Sequence, residues 1–158
     1  MSHVRKLLEE ALGGARTAAI LGCGSILRGD DAAGMYIAGQ LTGLGENVRV
    51  FAGSTAPENF TGEIKKFRPD VLLVIDAADM GKRPGEAAII PVEKIDGVSF
   101  SAHILPLKIM LEYIRREIGC RRALLGIQGA SYELAAELTP EIKDTADEVV
   151  AVLQEIYG

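Results

Sequence analysis

Cysteine is scarce. Only Cys23 and Cys120 occur, with no Cys-x-x-Cys spacing, which removes zinc knuckles and disulfide frameworks as ways of holding the fold. Both are expected to be buried thiols. No stretch approaches the roughly 18 consecutive apolar residues of a membrane span, and Met1 to Leu12 interleaves charged with apolar residues, unlike a charged-then-apolar secretion leader. The chain is therefore expected to be soluble and to stay in the cytoplasm. Basic residues are outnumbered, 17 Lys and Arg against 22 Asp and Glu, for a net charge of −5. That balance argues against nucleic acid or an anionic membrane as partner. Internal repeats, low-complexity tracts and linkers are also missing. The 158 residues are expected to form one domain, 1–158, able to bury roughly two-thirds of its unfolded surface without staples.

What the chain does have is alternation. Ser2 can cap a helix through Leu12, and Thr17 to Cys23 reads as a buried strand. Asp31 to Leu41 reads as a helix, Val48 to Ala52 as a strand and Pro57 to Phe67 as a helix. Val71 to Ile75 is a continuous apolar run that suits a strand covered on both faces. Ala87 to Pro91 is a short strand, Pro106 to Ile118 a helix and Ala123 to Ile127 a buried strand. A last helix follows, with Thr139 as cap, Pro140 in the first turn, and Ile142, Ala146, Val149, Val150, Leu153 and Ile156 on one stripe. Such alternation means an α/β fold with a mostly parallel sheet of roughly five strands and helices on both faces. Functional residues then belong at the carboxyl ends of the strands.

That rule selects few side chains. In Gly22-Cys23-Gly24-Ser25-Ile26-Leu27-Arg28-Gly29-Asp30-Asp31, a strand hands over to a helix and delivers two adjacent carboxylates. Asp30 can be an N-cap and Asp31 a favourable charge at the helix dipole, or one of them can be a ligand or catalytic acid. Asp76 closes the most apolar strand, where an ionised carboxylate needs a partner or a metal, unless it caps the following turn. His103 stands just before a helix, whereas the other histidine, His3, lies near the terminus. A lone histidine can be structural. Two acids and an imidazole at one sheet edge would suit a borderline divalent ion with open coordination positions.

The same segment resembles the opening signature of the hydrogenase maturation endopeptidases, which remove a C-terminal extension from the large subunit of [NiFe] hydrogenases. Further stretches agree in order along nearly the whole chain: Gly53 to Asn59, Arg68-Pro69, Val74 to Gly81, Pro84-Gly85-Glu86, His103 with Pro106-Leu107, and Leu125 to Gln128. The likeness is closest to the branch serving the hydrogenase of the formate hydrogenlyase complex. It implies a three-layer α/β/α fold of the phosphorylase/hydrolase-like kind. It also implies that Asp31, Asp76 and His103 are the metal-contacting positions. The nickel they meet would be carried by the large-subunit precursor, so that no resident cofactor is required, although other divalent ions could occupy the site in the isolated protein. Ser25, Ala32 and Gly129 depart from the pattern, which usually has Asn, Gly and Pro there.

No His-Glu-x-x-His helix, Gly-x-Ser-x-Gly elbow or cysteine-protease signature occurs, so a covalent route has little support. Hydrolysis would use a water activated by a carboxylate or polarised by the ion. Asp31 is the first choice of base, Asp76 the anchor of the metal and His103 its third contact, with Asp31 and Asp76 as the catalytic pair. Asp30 is expected to cap and Asp79 to order its loop. A dinucleotide enzyme is disfavoured, because the third glycine of its fingerprint would fall at Leu27 and no acid ends the strand at Val50 to Ala52. A non-catalytic nickel-binding chaperone would use the same three side chains.

Overall fold

Strand and helix do alternate along the chain. The structure, a computed structural model, describes residues 2–100 and 104–158, with Ile104 through its backbone alone. The elements are α1 (His3–Leu12), β1 (Ala18–Cys23), α2 (Ala33–Gln40), β2 (Val48–Ser54), α3 (Thr61–Phe67), β3 (Val71–Asp79), β4 (Ala87–Ile90), β5 (Ser99–Phe100), α4 (Ile104–Ile118), β6 (Arg121–Gln128) and α5 (Pro140–Tyr157). Ser2 caps α1 as expected, its hydroxyl accepting the Arg5 N–H at 3.1 Å. No helix among the described residues is long and apolar enough to cross a membrane.

Two expected helices begin differently. Gly29–Ala32 and Pro57–Phe60 are 3-10 turns that lead into α2 and α3. Each is tightened by a bond across three residues, Asp31 N–H to the Arg28 carbonyl and Asn59 N–H to the Ala56 carbonyl, both at 3.1 Å. Neither turn has a side-chain cap. β5, two residues long, was not expected, because so short a strand leaves no periodic signal.

The strands form one sheet in the order β2-β1-β3-β6-β4, with β5 paired to the end of β3. β1, β2, β3 and β6 pair in parallel, while β4 on β6 and β5 on β3 are antiparallel. Side chains alternate between two cores. Ile20, Leu73 and Leu125 pack with Leu8, Ile37, Ile142 and Leu153 from α1, α2 and α5. Leu21, Val74 and Leu124 pack with Ile64, Leu107 and Leu111 from α3 and α4. Each fully buried side chain of this size contributes about 1.5–3 kcal/mol. Helices therefore cover both faces, giving three layers.

Strand order also locates a crevice. β1 leads through α2 to β2 on one side, and β2 leads through α3 back to β3 on the other side. With α2 and α3 on opposite faces, the connections diverge at the carboxyl ends of β1 and β3, where open α/β sheets bind their ligands. Glycine fixes the depth of that corner. A Cβ at Gly22 would fall 2.2 Å from the Gly34 carbonyl oxygen, and one at Gly34 would fall 2.3 Å from that of Ile75. The first turn of α2 thus lies directly on β1 and β3, and the Gly29–Ala32 turn is held above the crevice.

Candidate active site

Asp31 lies in the turn after β1, and Asp76 lies in β3. Asp76 does not terminate its strand as expected, since β3 continues to Asp79. The pairing with β1 does stop just before it, at Gly22 with Ile75, so Asp76 is the first β3 residue beyond that neighbour. It is 1 % exposed, and the two-residue period puts it on the α3 and α4 face with Leu72, Val74 and Ala78. Asp31 is half-buried and lines a cavity of about 270 Å³ together with Ala77, Asp79, Ser99, Phe100 and Tyr132. His103 lies outside the described residues. Among those described, no three His, Cys, Asp or Glu side chains stand together as a metal cluster.

Asp30 is not a helix cap. Its fully buried carboxylate accepts N–H groups from Ala130, Ser131 and Thr139 at 2.8, 2.9 and 2.8 Å, and the Thr139 hydroxyl at 3.1 Å. These partners lie about a hundred residues away, in the loop that follows β6, so one carboxylate ties that loop to the turn carrying Asp31. The Ser131 carbonyl completes the tie by accepting the Asp30 N–H at 2.8 Å. Thr139 consequently gives its hydroxyl to Asp30 and makes no side-chain cap on α5, which still begins at Pro140. Asp30→Asn must turn an amide N–H toward at least one backbone N–H, whichever way the amide faces. The expected loss is on the order of 2–4 kcal/mol, seen as a melting temperature lower by roughly 5–15 °C. Unchanged thermal unfolding would show that the tie is dispensable.

The structure also fixes the settings of the remaining sequence-selected groups. Asp79 does order its loop, its Oδ1 accepting from Gly81 N–H at 3.3 Å and from the Gln128 carboxamide at 3.4 Å. Cys23 and Cys120 are buried free thiols, as expected. Burial, and after it the charges of Asp76 and Glu58, raises the Cys23 thiol well above its ordinary value. A thiol held protonated in this way is a poor nucleophile. Ser25 closes the turn after β1 by accepting the Leu27 N–H at 3.2 Å, and Ala32 has ordinary right-handed backbone angles.

Sequence reasoning missed Tyr132. Its position after β6, at another carboxyl strand end, was the available signal. Burial first, then the negative charges of Asp31, Asp79 and Asp30, raises the phenol above its usual value, against a lowering by the Gly129 backbone. The hydroxyl therefore stays protonated, and Tyr132 lines the cavity that holds Asp31. A Cβ at Gly129 would fall 2.4 Å from the Tyr132 hydroxyl oxygen, so glycine, where the family often has proline, makes room for this ring.

An open α/β/α protein with acids at the sheet's switch point and an inert cysteine beside them has the makings of a non-covalent hydrolase. Residues 36–156 match the family model of the HycI hydrogenase maturation proteases. The hydrogenase 3 maturation protease of Escherichia coli K12 is 34% identical over 140 residues, covering 87% of this chain and 89% of that protein. The crystal structure of a [NiFe] hydrogenase maturation protease HycI from Thermococcus kodakarensis superposes with a TM-score of 0.86 at 33% identity, over 94% of this chain and 97% of that one. The hydrogenase maturating endopeptidase HybD of Escherichia coli gives 0.70 at 28% identity, over 89% and 93%. The chain belongs to the hydrogenase maturation protease family. It is a hydrolase, an endopeptidase.

Proposed function

We propose that this endopeptidase removes the C-terminal extension of a [NiFe]-hydrogenase large-subunit precursor, in the cytoplasm and after nickel insertion, with the precursor's nickel as the recognition element. The reading rests above all on the placement of Asp31 and Asp76 on the two sides of the β1–β3 switch point. Asp31, Asp76 and His103 would grip the ion as it arrives, which leaves the protein without a resident metal. Their two carboxylates and one imidazole suit a borderline divalent cation with positions left for the substrate's own ligands.

Catalysis is then aspartate-dependent and non-covalent. Asp31, half-buried in its cavity, takes a proton from the attacking water as the oxygen adds to the scissile carbonyl carbon. Tyr132, protonated and lining the same cavity, donates a hydrogen bond to the oxyanion that forms, and the proton held by Asp31 passes to the departing amide nitrogen. Incubation with a nickel-loaded large-subunit precursor tests the reaction itself. Intact-mass spectrometry should show loss of the extension, whereas unchanged mass with retained nickel binding would make the protein a nickel-binding chaperone.

A further inference from the structure

Gln128, the last residue of β6, is 7 % exposed, and its side chain engages two loops at once. Its Oε1 accepts the Met80 N–H at 2.7 Å and the Lys82 N–H at 3.3 Å, both from the loop that follows β3. Its Nε2 donates to Asp79 Oδ1 at 3.4 Å and to the Gly129 carbonyl at 3.1 Å. Two donors thus face the oxygen and two acceptors face the nitrogen, a pattern that a carboxamide alone satisfies. The backbone repeats the tie. Gln128 N–H donates to the Glu86 carbonyl and Gly85 N–H donates to the Gln128 carbonyl, both at 2.8 Å. Gly126 lets the same loop lie back on the strand, since a Cβ there would fall 3.0 Å from Met80 Sδ.

What this side chain holds is the wall of the Asp31 cavity. Asp79 and Tyr132 line that cavity and Gln128 does not. Asp79 is bonded to Gln128 directly, and the Tyr132 hydroxyl packs against Gly129, whose carbonyl Gln128 holds. The segment from Gly129 to Ser131 is pinned at both ends, at its start by Gln128 and at its end by Asp30, which accepts the Ala130 and Ser131 N–H groups. Tyr132 is the next residue. A buried polar network satisfied at every position holds its members in one arrangement. We propose that Gln128 is a positioning residue of the reaction, acting through Gly129 to set where the Tyr132 hydroxyl meets the oxyanion. The proposal rests on the endopeptidase reading above and deepens it.

The test follows cleavage of nickel-loaded precursor by intact mass, using the full chain in the wild-type and Tyr132→Phe backgrounds. Gln128→Glu keeps an oxygen for Met80 and Lys82 but loses both donors, and Gln128→Met keeps the length without adding charge. Each should lower kcat by roughly 10- to 100-fold, the effect of a reacting group displaced by up to about an ångström. KM should stay within about twofold, since the ground-state grip is untouched. In Tyr132→Phe, where the hydroxyl is already gone, either change should cost no more than about a further threefold, the non-additivity of groups that act as a unit. Fluorotyrosine gives a readout independent of cleavage. The fluorine resonance of Tyr132, assigned by its loss in Tyr132→Phe, should move in Gln128→Glu while that of exposed Tyr113 stays. Equal losses in the two backgrounds, or an unchanged kcat, would overturn the proposal. So would failure of both variants to fold, which would make Gln128 a support of the sheet and not of Tyr132. Wild-type enzyme that never cuts the precursor, with the Tyr132 resonance still displaced in Gln128→Glu, would instead overturn the endopeptidase reading and leave the hold on Tyr132 standing.

Discussion

Asp31→Asn is expected to abolish processing without unfolding the protein. The substitution keeps the shape of a side chain that lines the 270 Å³ cavity but removes the charge that would take a proton from water. General-base removal alone is worth roughly 10²–10⁴ in rate. If the same carboxylate holds the precursor's nickel, the loss extends to binding, so KM should rise as kcat falls. Intact-mass kinetics report the rate, and circular dichroism with thermal unfolding reports the fold. The neighbouring acid behaves in the opposite way. Asp30 faces three backbone N–H groups and a hydroxyl, so Asp30→Asn should lower the melting temperature first, with activity following only as far as the loop after β6 loosens. Near-normal cleavage by Asp31→Asn would transfer the base to Asp76.

How far sequence could foresee these roles depended on the range of the forces involved. Strand interiors were legible because burial on both faces demands unbroken apolar runs, as in Val71 to Ile75 and Ala123 to Ile127, and both lie in β3 and β6. α5 was equally clear, since Ile142, Ala146, Val149, Val150 and Leu153 do form its buried stripe, and only Ile156, in the last turn, is exposed instead. Asp30 was misread because capping is a local rule. Its true donors come from Ala130, Ser131 and Thr139, and nothing near position 30 announces them. Thr139 shows the same competition from the other end: a distant buried carboxylate took the hydroxyl that the helix would have used. The site was half legible. Asp31 and Asp76 follow from the strand-end rule, although Asp76 lies inside β3, just past the end of its pairing with β1, and is buried. Tyr132 gave no signal of its own type, because an aromatic in a loop is ordinary until the fold places it on the wall of the Asp31 cavity.

Enzyme stripped of metal is expected to cut a nickel-loaded precursor and to leave the nickel-free precursor intact. Asp31 and Asp76 sit on different elements, the turn after β1 and the body of β3, and a cation between them would be held partly by the enzyme and partly by the substrate. Without it, the grip that orients the scissile bond is missing, and displacement of that bond by about an ångström can slow the reaction on the order of 100-fold. An enzyme with a resident catalytic metal would do the reverse, losing activity on chelation and regaining it with added zinc for either precursor. Equal and rapid cleavage of both precursors by metal-free enzyme would remove nickel from the recognition step, and the Asp31 carboxylate would then act on water directly.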